Sequence, residues 1–335
     1  MPTTNTRILL ASRPTGDVTA ANFRAEAVPV PVAKDGEVVV RSRYLSLDPY
    51  MRPRMSELRS YVPPFELDKP LTGGSVGEVV ESRNPKFAVG DTLTGMLDWA
   101  QYTAHSGAGL RKIDPAAAPL PAHLGILGMP GYTAYHGMIR MGQPKEGETV
   151  FVSAATGAVG QLAGQLAKLR GARVVGCAGD DAKCKWAVKE LGYDACFNHR
   201  RERDYGAVLD RLCPKGIDVD FENVGGDIMH AVFARMNNFG RMIFCGAISE
   251  YQDATPRPGP EKMFSIVQKR LRIEGFIVSD HISTMGEFVR EVGTLLKAGK
   301  IRHRETIVDG LEDAPGAFMG LLKGENFGKL IVKVA

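Results

Sequence analysis

The sequence predicts an α/β protein in two parts: a doubly wound parallel sheet and a mostly β, barrel-forming part. Three observations carry this expectation. A chain of 335 residues exceeds the roughly 250 to 300 residues at which a single hydrophobic core stops growing. Residues 1–123 hold short apolar runs such as EVVVRSRYLSL and SVGEVVES, broken by Pro and Gly clusters such as YVPPFELDKPLTGG, which is the texture of strands joined by turns. Residues 124–300 instead alternate apolar strands with helical stretches, the pattern of parallel βαβ units.

The second part reads in order. ETVFVSA is a strand, GAVGQLAGQLAKLRG an amphipathic helix, ARVVGCAG the second strand and DAKCKWAVKELG the second helix. DACFNH, the polar helix around RERDYGAVLDRLC, VDFENVGG, a helix near DIMHAVFARMN, and RMIFCGA follow, giving about five βα units. IEGFIVS adds an apolar strand and MGEFVREVGTLLKAG a helix; the tail 301–335 turns β-like, ends in KLIVKVA, and is expected to rejoin residues 1–123.

Composition narrows the function classes. Lys plus Arg (42) exceed Asp plus Glu (38) by four, too few for a sequence-wide nucleic-acid footprint but enough to serve one phosphate. Hydrophobic residues at 44% and charged residues at 24% argue against disorder. The apolar run between Arg7 and Arg13 is too short for a secretion signal, and nothing approaches a membrane span. Cys177, Cys184, Cys196, Cys213 and Cys245 are odd in number and lack CxxC spacing, which fits reduced thiols in the cytoplasm.

The stretch SAATGAVGQLAGQLAKLRGARVVGCAGDDAK, residues 153–183, carries the chemistry. In a βαβ dinucleotide site the first glycine permits a tight turn, the second lets backbone approach the pyrophosphate, and the third lets helix pack on strand. Those positions are Ala155, Gly157 and Gly160. They open a helix whose free N–H groups and positive end suit a pyrophosphate. The bland alternative is that both glycines only turn and pack the chain. Acids about 20 residues later accept bonds from the ribose of NAD and repel a 2′-phosphate. Asp180 and Asp181 lie there, but Lys183 follows, and Arg200, Arg201 and Arg203 sit past the third strand. Asp180 could equally cap the helix starting near Ala182, and the arginines could be solvated loop charges.

Metal and nucleophile chemistry find little support. A catalytic zinc needs three ligands and an open position, yet residues 1–123 contain no cysteine and only His105 and His123. No cysteine has an evident activating base, and no GxSxG elbow occurs.

The set AATGAVG, CAGDDAK, FENVGG, CGAISEY, EGFIV and KGENFGK, with LSLDPYMR near the front, resembles the zinc-independent medium-chain reductases. Within them it resembles the curcumin reductase and prostaglandin/leukotriene reductase branch, from about Tyr44 to Lys333. The resemblance implies a Rossmann sheet over 124–300 and a GroES-like barrel, the catalytic domain, over 1–123 and 301–335. It implies NADPH as cofactor, with Lys183 contacting the 2′-phosphate. It carries cofactor contacts onto Gly157, Ala158, Val159 and Gly160, onto Asn223, and onto Cys245, Gly246, Ala247, Ile248, Ser249 and Tyr251. Phe276, Ile277, Val278 and Asn326 complete them. Met129, Pro130, Thr133 and Tyr135, in GMPGYTAYHG, would form the nicotinamide wall. Relatives place a tyrosine where this chain has His199, followed by Arg200.

Without a metal, the charge that arrives with hydride must be met by preplaced hydrogen-bond donors. Hydride added to the β carbon of a conjugated enone leaves an enolate, which neutral donors stabilise and which then takes a proton from tyrosine or water. Tyrosine stays protonated at neutral pH, and Tyr50, Tyr61 and Tyr251 are the expected donors, meeting in the cleft between domains. Each could instead pack as an amphipathic aromatic. The expected function is NADPH-dependent reduction of a carbon–carbon double bond conjugated to a carbonyl, on a small-molecule substrate, by a homodimer that binds neither nucleic acid nor membrane. A quinone reductase of the same architecture and an idle nucleotide-binding protein are the alternatives. Substrate choice is expected to rest on the loops SELRSYVPPFELDKP and EYQDATPRPGPEKM.

Overall fold

The computed structural model describes residues 3–57, 60–252 and 258–334. Part of each loop expected to set substrate choice, residues 58–59 and 253–257, therefore lies outside the described residues. The chain divides into two compact units, Met1–Gly125 with Glu305–Ala335, and Ile126–Arg304.

In the first unit the strands are β1 (Thr4–Leu10), β2 (Phe23–Pro29), β3 (Val38–Ser46), β4 (Thr72–Ser82), β5 (Thr92–Asp98), β6 (Tyr102–His105) and β7 (Arg111–Lys112), with the short helix α1 (Met51–Arg54) after β3. The second unit comprises α2 (Met129–Tyr135), β8 (Thr149–Val152), α3 (Gly160–Leu169), β9 (Arg173–Ala178), α4 (Asp181–Lys189), β10 (Ala195–Asn198), α5 (Tyr205–Leu212), β11 (Ile217–Glu222), α6 (Gly226–Ala234), β12 (Met236–Phe244), α7 (Ser265–Lys269), β13 (Arg272–Gly275) and α8 (Met285–Lys297). The chain then returns to the first unit through β14 (Glu305–Asp309), α9 (Ala314–Leu322) and β15 (Lys329–Lys333).

The first unit pairs its strands in the order β14-β15-β3-β4-β5-β7, with β6 on β3 and a separate β1–β2 ribbon. All these pairings are antiparallel except β14 on β15. Its core gathers Ile8, Leu45, Met51, Trp99, Phe318 and Val332. The tail is not uniformly β-like: α9 interrupts it. Ala314, Phe318 and Leu321 are its buried residues, spaced i, i+4, i+7, and a proline opens its first turn. Phe318 meets the Trp99 ring edge-on at 6.1 Å.

The second unit is a six-stranded sheet in the order β10-β9-β8-β11-β12-β13, parallel throughout. The four residues of β8 are all buried, as strands covered on both faces must be. The order reverses between β8 and β11, so their carboxyl ends form the topological switch point, where doubly wound sheets bind ligands. The expected apolar strand IEGFIVS is shorter in the fold: β13 stops at Gly275, and Phe276, Ile277 and Val278 leave the sheet at its carboxyl end. Among the described residues no helix is long and apolar enough to cross a membrane.

Candidate active site

The glycine turn follows β8. Ala154 adopts a left-handed conformation (φ 49°), and its carbonyl accepts the Gly157 amide at 2.9 Å. At the first glycine position, the buried Ala155 faces Gly176 of β9. A Cβ on Gly176 would lie 2.7 Å from the Ala155 Cβ, so the glycine has moved to the neighbouring strand and alanine fits. A Cβ on Gly160 would lie 2.3 Å from the Ala154 carbonyl oxygen, which requires glycine where α3 begins. Gly157 is different, because its Cβ would approach only Ala154, at 3.3 Å or more. Internal packing at 157 is therefore tight but less restrictive than at 160, and glycine at this position of the turn suits close approach of a ligand to the backbone. α3 has no side-chain cap and no acid in its first turn, leaving its positive end for an anion. Behind the turn, Tyr193 is wedged against Gly164 and donates its hydroxyl to the Gly160 carbonyl at 2.8 Å.

The ends of β9 and β10 collect charge. Asp180 caps α4, accepting the Lys183 amide at 2.8 Å, with its other oxygen 3.4 Å from the Lys183 ammonium. Asp181 accepts Asn198 Nδ2 at 2.7 Å and the Arg201 guanidinium at 2.5 Å, bonds that hold its carboxyl below the usual range. Both acids thus have partners within the protein. The Lys183 side chain is largely buried. A Cβ on Gly179 would lie 3.4 Å from Arg200 Nε and 3.6 Å from His199 Nε2. Burial, then Arg200, then Lys183 push the His199 imidazole below its ordinary pKa. Lys183, His199 and Arg200 therefore gather where β9 and β10 end.

At the switch point, Glu222 Oε1 accepts Ser153 Oγ at 2.7 Å, the Val224 amide at 2.5 Å and the Gly225 amide at 2.9 Å. Burial raises the Glu222 pKa against these bonds. Asn223 donates Nδ2 to the Ser153 carbonyl at 2.8 Å, and its amide bonds Ser153 Oγ at 2.7 Å. The Glu222 carbonyl accepts the amides of Cys245 and Gly246, while those of Asn223 and Val224 accept Ile248 and Ser249, at 2.9 to 3.1 Å. The expected cofactor segment 245–249 is thus laced onto the end of β11. Tyr251 folds back on it, its hydroxyl 3.4 Å from the Ala247 amide.

Phe276 packs on His136, ring centroids 5.6 Å apart. At the start of α2, Met129 is exposed, Pro130 buried, and Thr133 bonds the Met129 carbonyl at 2.8 Å. Tyr135, an expected wall residue, is a core residue: it is buried, packs on Phe288 and donates its hydroxyl to Glu291 at 2.7 Å.

In the first unit the motif LSLDPYMR forms the turn from β3 into α1. The buried Lys329 ammonium donates to the Leu47 carbonyl at 2.6 Å and to Asp48 Oδ1 at 2.8 Å, and the other Asp48 oxygen accepts Ser46 Oγ. This clamp fixes the backbone two residues before Tyr50. Tyr50 is half-buried, and burial, then Asp48, raise its phenol above the ordinary range while Arg54 opposes them. Tyr61 is exposed and interacts electrostatically with both Tyr50 and Arg54. Arg54 donates to the Pro63 carbonyl at 3.0 Å and stacks 4.0 Å over Phe65. Tyr50 and Tyr61 thus share one electrostatic environment with Arg54, a residue that no motif of the sequence singles out. Asn326 bonds the Gly328 carbonyl at 2.7 Å.

A doubly wound sheet with a glycine turn at its switch point and a separate antiparallel unit defines a dinucleotide-dependent oxidoreductase class. Comparison with known proteins narrows it. Residues 6–113 match the family described as N-terminal domain of oxidoreductase, and residues 158–294 match the family described as zinc-binding dehydrogenase. The chain is 46% identical to the NADPH-dependent curcumin reductase of Escherichia coli, covering 99% of this chain and 97% of that protein. It is 45% identical to the 2-alkenal reductase (NADP(+)-dependent) of Nicotiana tabacum (89% and 88%). Among solved structures, that of CurA in complex with NADPH from Vibrio vulnificus superposes with a TM-score of 0.93 at 43% identity, covering 98% of this chain and 99% of that one. The chain belongs to the zinc-independent medium-chain dehydrogenase/reductase family, and its two units are a GroES-like domain and a Rossmann domain.

Proposed function

We propose that the protein is an NADPH-dependent reductase of carbon–carbon double bonds conjugated to a carbonyl, acting on small enals and enones. The observation that carries this reading is the near full-length identity to relatives named for that chemistry. The cluster of Lys183, His199 and Arg200 supports the choice of NADPH over NADH, because three basic groups face one another at the place where a 2′-phosphate would need neutralising.

The chemistry that the cofactor supplies when bound is hydride to the β carbon of the substrate. This chain's residues divide the remaining work. The amides of Gly157, Ala158, Val159 and Gly160 hold the pyrophosphate at the positive end of α3. Asn223 and segments 245–249 and 276–278 hold the nicotinamide end, with Met129, Pro130 and Thr133 as its wall and Asn326 a further contact. Tyr50 and Tyr61 donate hydrogen bonds to the substrate oxygen as it gains enolate charge, and Tyr251 is the third candidate donor. A raised phenol pKa suits Tyr50 to donate without ionising. The Asp48–Lys329 clamp positions it.

The test follows NADPH oxidation over a panel of enals, enones and quinones, then locates deuterium delivered from labelled cofactor. Label at the β carbon of a saturated carbonyl product, with solvent deuterium at the α carbon, is expected. Label at the carbonyl carbon, giving an allylic alcohol, makes the protein an alcohol dehydrogenase instead. Turnover of quinones alone selects the quinone reductase reading.

A homodimer is part of the same proposal. All four residues of β13, the sheet's outer strand, are exposed, as are Phe264, Val267 and Ile282. An open strand edge with apolar side chains about it suits a second copy. Light scattering checks this, and a monomer at micromolar concentration rejects it. Five cysteines without a disulfide support a reducing compartment, the cytoplasm, which cell fractionation tests.

A further inference from the structure

Cys184 lies in the first turns of α4 and Cys196 on β10, which packs beside it, and each thiol perturbs the other. Both line one surface cavity of about 590 Å³, with Asp181, Asn198, Arg201 and Arg211 also on its wall. Cys184 is otherwise buried, while Cys196 is half-buried. The third neighbouring thiol, Cys177, is fully buried on β9 and does not line the cavity. From this juxtaposition we infer that Cys184 and Cys196 form a thiol–disulfide exchange site that takes a small-molecule disulfide from the cavity and closes into an internal bridge.

The roles follow from the surroundings. The neighbouring Cys196 thiol and then the Ala178 amide lower the Cys184 pKa against its burial and against Asp180 and Asp181. The start of α4 favours negative charge there too. Cys184 and burial together raise the Cys196 pKa. Cys184 is thus the nucleophile and Cys196 the resolving thiol. The Cys184 thiolate attacks one sulfur of the small disulfide; a new S–S bond forms as the old one breaks, and the first small thiol leaves with a proton. Cys196 then loses its proton to solvent and its sulfur attacks Cys184, releasing the second small thiol. The protein dithiol is oxidised by two electrons, and one small disulfide is reduced to two thiols.

The bridge would tie α4 to β10. Lys183 immediately precedes Cys184, and β10 runs directly into His199 and Arg200. Closing the bridge therefore acts on the elements that present all three basic groups, and NADPH binding is expected to weaken on oxidation. This second consequence rests on the proposed NADPH reading; the exchange chemistry does not.

The test exposes the full-length protein to oxidised glutathione. Intact mass and peptide mapping should show loss of two hydrogens and a 184–196 linkage. Cys196→Ser should arrest with one glutathione on Cys184, Cys184→Ser should form no bridge, and Cys213→Ser should behave as wild type. Should Cys196→Ser fail to fold by thermal melt, Cys196→Ala is used, and mapping of the wild-type bridge stands on its own. Absence of both the bridge and the arrested adduct overturns the site. NADPH titration by fluorescence should then show binding at least about fivefold weaker in the oxidised form, the low end of ordinary coupling between sites. A bridge that leaves NADPH affinity unchanged overturns the coupling. Neither mass readout depends on enone turnover, so a failed reductase assay and a failed exchange site are told apart.

Discussion

The two regions proposed to face phosphate in the Rossmann unit are built from different materials. The turn at 154–160 is backbone: a left-handed alanine, a glycine with no room for a Cβ, and an uncapped helix start. The cluster at the ends of β9 and β10 is side chain: Lys183, His199 and Arg200, with Asp180 and Asp181 held by neighbours. A backbone site reads what all dinucleotides share, and a side-chain site reads what distinguishes one from another. Affinity and selectivity should therefore come apart on mutation.

The strongest attack on that separation is Gly160→Ala. Its Cβ would sit 2.3 Å from the Ala154 carbonyl oxygen, so the turn must shift, and overpacking of this kind costs about 1–3 kcal/mol of stability. Affinity for NADPH and NADH should fall together, by about a hundredfold if some 3 kcal/mol of pyrophosphate binding is lost. Calorimetric titration with both cofactors checks this, and unchanged binding of both means that the turn is not the phosphate site.

Lys183→Ala should do the opposite and split the cofactors. A charge-assisted bond to phosphate is worth about 1.5–3 kcal/mol, so the NADPH Michaelis constant should rise at least about tenfold while that for NADH barely moves. Equal losses would merge the two regions into one function.

Proton linkage sharpens the comparison further. The His199 pKa is depressed in the protein without cofactor, so the imidazole is largely neutral near neutrality, while a phosphate beside it favours the imidazolium. Binding should then take up a proton, and NADPH affinity should fall about threefold as pH rises from about 6 to 8. NADH titrated over the same range should show a flat profile, and His199→Gln should flatten the NADPH profile. A slope that survives in His199→Gln places the titrating group elsewhere.

Ala155→Gly should have the smallest effect. Because Gly176 already makes the room, restoring a glycine should leave both cofactor affinities within about twofold and cost about 0.5–1 kcal/mol of stability through added chain entropy. Gly176→Ala, whose Cβ would meet the Ala155 Cβ at 2.7 Å, should be far more damaging in a thermal melt. Equal tolerance at both positions would refute the exchange of roles.

What was legible in the sequence was local. The spacing of Gly157 and Gly160 after an apolar strand announces the turn because strand, turn and helix are consecutive. Asp180 as a helix cap was legible for the same reason, since its partner is three residues away. The compensation of Ala155 by Gly176 was hidden because the two meet across adjacent strands, β8's turn against β9. The Ser153–Glu222–Asn223 network and the Lys329–Asp48 clamp are contacts about 70 and 281 residues apart in sequence, and no periodicity encodes a pairing of that length. Arg54 was passed over because its role depends on Pro63, Phe65 and Tyr61 closing around it. The tail helix α9 was missed because apolar residues flanking a proline and glycines resemble strand punctuation until their i, i+4, i+7 spacing is counted.

The clamp on Asp48 also sets an order of events during synthesis. Its lysine lies on β15, the strand that stands between β14 and β3. The Rossmann unit is whole without β15, whereas the GroES-like unit must wait for Lys329 with the Asp48 carboxylate uncompensated and β3 lacking one neighbour. Contacts of such sequence separation are slow to form, so the tyrosine-bearing turn is expected to set late. A nascent chain halted short of Lys329 would carry a folded nucleotide-binding half joined to an unfinished sheet, and a chain clipped at its end would lose the turn long before it lost the Rossmann core.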